Sequence, residues 1–169
     1  MKIYSHTPQK NIKKLRSITA ISLFGALAIM ICTSIFQNIP FRWAVQIIGL
    51  VILTFAIFVL SRYIMKSFVY DIVQNDDEMF FTVTEIQNRH TITVCRLSLS
   101  CIQDVQVCDD ADKKNTLKSQ IKADKRKTYN YCADFLETKS LYIFSDEGED
   151  ICVTVSYDET LLDILSKNQ

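Results

Sequence analysis

Six cysteines, two histidines, a short acidic run and one dense basic run are the residues that could carry chemistry in this sequence. Zinc needs ligands at short, regular spacing, and the cysteines offer only Cys95, five residues, Cys101, six residues, Cys108, with no C-x-x-C pair. Strand alternation places Cys95, Cys132 and Cys152 on strand faces, where a thiol behaves as a small hydrophobe. Cys101 or Cys108, near strand ends, would be the thiols of a cysteine-based redox sensor or small enzyme domain at a membrane, the rival to a non-enzymatic reading. His90 lies in the polar turn "QNRH", and Asp76, Asp77 and Glu78 lack the alternating ligand spacing and glycine of a calcium loop. The three glycines, Gly25, Gly49 and Gly148, form neither a P-loop nor a dinucleotide fingerprint. No cofactor, metal or catalytic residue is therefore expected, and the chain is read as not an enzyme.

The basic run is "KKNTLKSQIKADKRK", with Lys113, Lys114, Lys118, Lys122, Lys125, Arg126 and Lys127 against a single acid. It sits in an interval of about 19 residues between two expected strands, too poor in apolar residues to be a strand itself. Three readings stay open: electrostatic contact with anionic lipid headgroups, docking to an acidic or membrane-protein partner, and a mobile polar insertion kept soluble by charge. Nucleic acid is not an expected partner, because the run lacks interleaved aromatics and belongs to an acidic part of the chain.

That charge division reveals the elements that would position the run. Eight basic residues and no acid precede Asp71, leaving 11 basic and all 19 acidic residues beyond it, so the two parts carry +8 and −8. Within the first part, "SITAISLFGALAIMICTSIF" (17 to 36) and "WAVQIIGLVILTFAIFVLS" (43 to 61) contain no charge. Each is long enough to cross a hydrocarbon core of about 30 Å as a helix. The six residues "QNIPFR" between them predict a tight antiparallel hairpin. Lys10, Lys13, Lys14 and Arg16 precede the first run and Arg62 and Lys66 follow the second, against Arg42 alone in the connection. Positive-inside bias then predicts a two-pass protein of the inner, cytoplasmic membrane with both termini in the cytoplasm. Irregularly spaced cysteines suit a reducing compartment.

Beyond residue 66 the pattern changes to short alternating stretches bounded by polar turns. Seven strands are predicted, at 68 to 74, 78 to 86, 91 to 97, 102 to 108, 129 to 136, 140 to 146 and 150 to 157. The connections "QNDDE", "QNRH", "ETK" and "EGE" suit hairpins, with Gly148 supplying a positive φ. In the last strand, Ile151, Val153, Val155 and Tyr157 predict a buried face and Cys152, Thr154 and Ser156 a wetter one. "SYDETLLDILSKN" then reads as an amphipathic helix with Ser156 and Glu159 at capping-box spacing.

The expected organisation is an N-terminal tail and transmembrane hairpin over residues 1–66, and a cytoplasmic domain over 67–169. With "TVCRLSLSCI" and "YNYCADF", the two-span hairpin leading into seven strands and one helix resembles membrane-anchored bacterial pleckstrin-homology-like (PH-like) proteins. The resemblance implies an α+β membrane protein whose seven-stranded antiparallel β-barrel or sandwich is capped by a C-terminal α-helix. It further implies a scaffold or binding module working with the lipid bilayer, a membrane-protein partner or a homo-oligomer. Inositol-phosphate binding is not implied, since the first hairpin reads "QNDDE" where such domains place basic residues.

Overall fold

The computed structural model describes residues 1–36, 41–75, 78–135 and 137–167. The "QNIPFR" connection and the "QNDDE" turn fall partly outside them. The chain divides into two compact units, one of residues 11–66 and one joining Met1–Lys10 to residues 67–169.

In the first unit, α1 (Ile12–Ile35) packs against α2 (Arg42–Val59), which continues as a π-helical turn through Leu60–Ile64. Asn11 starts α1 by accepting a bond from the Lys14 amide at 3.2 Å. The helices meet through small residues: Ala26, Gly49 and Ala56 are buried, and a Cβ on Gly49 would come within 3.2 Å of Ile29 Cγ2. Leu15, Val59 and Tyr63 form a second buried cluster, yet only 17% of each helix's most apolar stretch is buried. Both helices are long and apolar enough to cross a membrane.

Among the described residues, the second unit holds eight strands in two four-stranded sheets, where seven in one antiparallel barrel or sandwich were expected. The first sheet has the order β1-β2-β3-β4, with β1 Lys2–His6, β2 Lys66–Asn75, β3 Glu78–Gln87 and β4 His90–Ser98. The additional strand is β1, antiparallel to β2 with Ser5 opposite Asp71. Residues expected to be a tail are therefore the edge of the sheet. The second sheet has the order β5-β7-β8-β6, with β5 Ile102–Cys108, β6 Lys127–Asn130, β7 Ser140–Ser145 and β8 Ile151–Ser156.

Two features of this second sheet correct the sequence reading. The stretch 129 to 136 supplies only the end of β6, and its continuation leaves the sheet. β6 also runs parallel to β8, pairing Tyr129 with Val153, whereas an all-antiparallel domain was expected. Parallel pairing needs a crossover. The chain passes from β6 to β8 through β7, while β5 and β6, the two edges of this sheet, are joined by a helix, α3 (Ala111–Ala123), formed by most of the basic run read as a loop.

The core follows from strand alternation. Phe68, Tyr70, Ile72, Phe81 and Val83 of one sheet face Leu141, Ile143, Val153 and Val155 of the other, and Leu161 and Leu165 of α4 (Glu159–Lys167) join them. On the opposite face of the second sheet, Cys108, Tyr142, Phe144 and Cys152 are covered by Leu117 and Ile121 of α3. Every residue of β7 is consequently buried. The expected wetter face of β8 is covered as well, with Cys152 and Ser156 buried. Gly148 takes the positive φ expected of it, 76°, and Asn88 takes 55° in the "QNRH" turn.

Candidate functional site

The basic run forms a helix because its ends are well set, even though its centre is polar. Asp112 lies in the first turn and Lys122 in the last, each favourable to the helix dipole. Lys113 Nζ reaches Asp109 Oδ1 at 3.0 Å, one turn back. At the C-terminus, the Arg126 amide donates to Ile121 O at 3.1 Å and the Lys125 amide to Lys122 O at 3.3 Å. These are the two bonds of a Schellman motif, with Lys125 at φ 53° in the place glycine usually takes. Leu117 and Ile121, four apart, then anchor the helix on the sheet.

Folding separates the seven bases into groups. Lys113 is paired with Asp109, and that bond lowers the carboxyl pKa and raises the ammonium pKa. Arg126 lies over the Phe144 ring with its guanidinium 5.3 Å from the centroid, donates to Gln103 Oε1 at 3.3 Å and stands 3.7 Å from Asp124. Lys127 pairs with Glu149. Lys114 is half-buried, and its charge acts on Glu137. Lys118, Lys122 and Lys125 are exposed and make no salt bridge among the described residues. At about 100° per residue, Lys114, Lys118 and Lys122 fall within an arc of about 80° on one flank of α3, and Lys125 follows just past the end of the helix. On the other flank, Gln103, Gln106, Gln120 and Arg126 line a cleft of about 390 Å³ between α3 and β5.

Sequence reasoning did not find a second constellation, built where β1, β2, β8 and α4 converge. The Tyr70 hydroxyl donates to Tyr131 O at 2.8 Å, accepts from the Ser156 amide at 3.1 Å and lies 3.1 Å from Ser156 Oγ. Ser156 Oγ donates to Glu137 Oε2 at 3.0 Å and accepts from the Ala133 amide at 3.0 Å. Ser156 therefore serves this joint, and the helix cap expected of it belongs to Asp158, whose Oδ1 accepts from the Leu161 amide at 2.9 Å. Tyr4 donates to the same oxygen, and His6, stacked between Tyr4 and Tyr70, places Nδ1 3.5 Å from Asp158 Oδ2.

Burial raises the Tyr4 and Tyr70 pKa values, with Asp158 adding to the effect at Tyr4. Burial also acts against the Asp158 carboxylate, but the bonds from Tyr4 and Leu161 N and the charge of His6 outweigh it and hold its pKa low. At Glu137 burial wins over the Ser156 and Cys132 bonds, and the pKa rises. A serine hydroxyl this buried and this fully engaged is a structural joint.

The thiols divide similarly. Burial pushes Cys95 up to about 11 and Cys152 up to about 12, conditions in which a thiol is a poor nucleophile. Cys108 is buried, its Sγ 3.6 Å from Asp110 O, and Cys101 is half-buried. Among the described residues, no group of three or more His, Cys, Asp or Glu could hold a metal ion.

No family model, curated protein or solved structure matches the chain. Function must therefore be argued from the two units themselves.

Proposed function

We propose that this protein is a non-enzymatic, membrane-anchored binding or scaffolding module with a PH-like plan. The observation that carries the reading is topological. The helices α1 and α2 are inserted between β1 and β2, two strands paired in one sheet. A hairpin that crosses a bilayer returns the chain to the side it left, so this pairing requires an even number of crossings. The bases at 10, 13, 14, 16, 62 and 66 assign that side to the cytoplasm. Hydroxyl behaviour supports the bilayer. Thr19, Thr33, Ser34, Thr54 and Ser61 each donate to a carbonyl three or four residues back in their own helix, which satisfies them without water.

The lysine flank of α3 is the contact surface. Lys118, Lys122 and Lys125 meet an anionic lipid surface or an acidic face of a membrane-protein partner. Each lysine near anionic lipid contributes about 1 kcal/mol at low salt. Tethering makes such weak contacts effective by raising local concentration.

The test is lysine acetylation of the full-length protein in nanodiscs of neutral lipid or of lipid with an anionic component. Protection of Lys118, Lys122 and Lys125 in the anionic discs, reversed by high salt, is the expected result. Equal modification in both discs removes lipid as the counter-surface. Full extraction of the protein from membranes at alkaline pH would remove the anchor itself.

A further inference from the structure

The hydroxyls of Thr19, Thr33, Ser34, Thr54 and Ser61 are satisfied within their own helices, whereas the Gln46 carboxamide is not. Gln46, exposed on α2, makes no side-chain hydrogen bond among the described residues. It lines a groove of about 500 Å³ between the helices, together with Met30, Ser34, Trp43, Ile47 and Leu50. Ser34 Oγ already donates to Met30 O at 2.8 Å, so its proton is committed within its own helix.

Gln46 lies four residues inside Arg42, about 6 Å along the helix axis. A carboxamide facing hydrocarbon at that level loses its hydrogen bonds with water and recovers them only from another polar group. The amide is itself a complete partner, because it carries both donor and acceptor. A two-fold interface presents the same patch from both sides, so the two carboxamides meet each other. We infer that this groove is the contact between two copies of the chain, closed by reciprocal Gln46–Gln46 hydrogen bonds inside an apolar seam. The inference rests on the membrane reading above. The pair fixes the register, while Met30, Ile47 and Leu50 supply the packing that drives association in lipid.

The experiment uses the full-length protein in liposomes. Dimer fraction is read from energy transfer between two fluorophore-labelled populations as protein is diluted into lipid. Gln46→Leu keeps the side chain's bulk and removes its hydrogen bonds, and it should weaken dimerisation roughly three- to tenfold. In parallel, with Cys32 replaced by serine, Gln46→Cys should crosslink between copies under mild oxidation. Ile48→Cys, on the opposite side of α2, should not. Dimerisation unchanged by Gln46→Leu, through water reaching the amide or through another face, overturns the inference, as does equal crosslinking at 46 and 48. A monomer that stays in the membrane at alkaline pH also overturns it and leaves the anchor intact. Extraction of the protein at alkaline pH overturns the anchor and the inference together.

Discussion

The Tyr4 hydroxyl donates a 2.6 Å hydrogen bond to Asp158 Oδ1, tying the first strand to the cap of the last helix across 154 positions of sequence. Two parts of the fold depend on one carboxylate.

Asp158→Ala removes both the cap and the tie and should cost about 1–2 kcal/mol of stability. Asp158→Asn keeps the acceptor and loses the charge. The folded pKa of Asp158 lies below its unfolded value of about 3.9, so its charge-dependent stability is present above that pH and disappears as pH falls through the folded value. Thermal unfolding in detergent should show Asp158→Asn weaker than the parent at pH 7, with the gap closing towards pH 3. A gap independent of pH would refute the charge term.

Glu137 should behave in the opposite sense. Its folded pKa is raised, so its contribution is complete below its unfolded value of about 4.3 and is lost as pH climbs through the folded value. Glu137→Gln preserves an acceptor for Ser156 without the buried charge. Its melting temperature should rise relative to the parent at neutral pH and converge with it near pH 4.

Lys125 holds a left-handed conformation that costs a non-glycine residue about 1 kcal/mol. Lys125→Gly should stabilise the fold by about that amount in a denaturant or thermal scan. It should also weaken salt-sensitive contact with anionic discs, since it removes an exposed base. A stability gain without that loss would remove Lys125 from the contact surface.

Leu117→Ala should loosen α3 from the sheet and cost about 2–4 kcal/mol locally. Cys108 and Cys152, covered by that helix, should then react with maleimide about tenfold faster or more. Cys95, packed against the other core, should keep its rate. Uniform acceleration of all thiols would show global unfolding in place of helix release.

Lys2 Nζ lies 2.8 Å from Asp71 Oδ2, and Asp71 Oδ1 is buried with no hydrogen-bond partner. Removing the cation strands a carboxylate whose side chain is only 9% exposed. Lys2→Met should therefore cost about 1–3 kcal/mol. Adding Asp71→Asn should recover part of that loss in the same unfolding measurement.

Much of this fold can be read locally. The apolar helices, every predicted strand but the fifth, the turns at Asn88 and Gly148, and α4 all follow from residue periods that need no distant partner. What escaped was non-local. "KIYSH" is too short to announce a strand, and becomes one because β2, 64 positions later, offers an unpaired edge. The α3 segment has only Leu117 and Ile121 to bury, a signal too sparse for a helix until the sheet face below them is known. Ser156 looked like a cap because capping spacing was present, yet Tyr70 and Glu137 compete for it and win. The lysines were visible in the sequence, and Lys113 finds Asp109 one turn back, but the pairing of Arg126 and Lys127 depends on Gln103 of β5 and Glu149 of the β7–β8 turn.

The insertion of the hairpin between β1 and β2 also orders events during synthesis. β1 leaves the ribosome before β2, and its partner strand follows only after both helices have been made. If only one helix threads the bilayer, β1 is left on the far side and the β2 edge stays open. Under the proposed membrane anchor, completion of the sheet would therefore proofread the threading, because a misinserted chain would leave an unpaired strand edge of the kind that proteases and chaperones recognise.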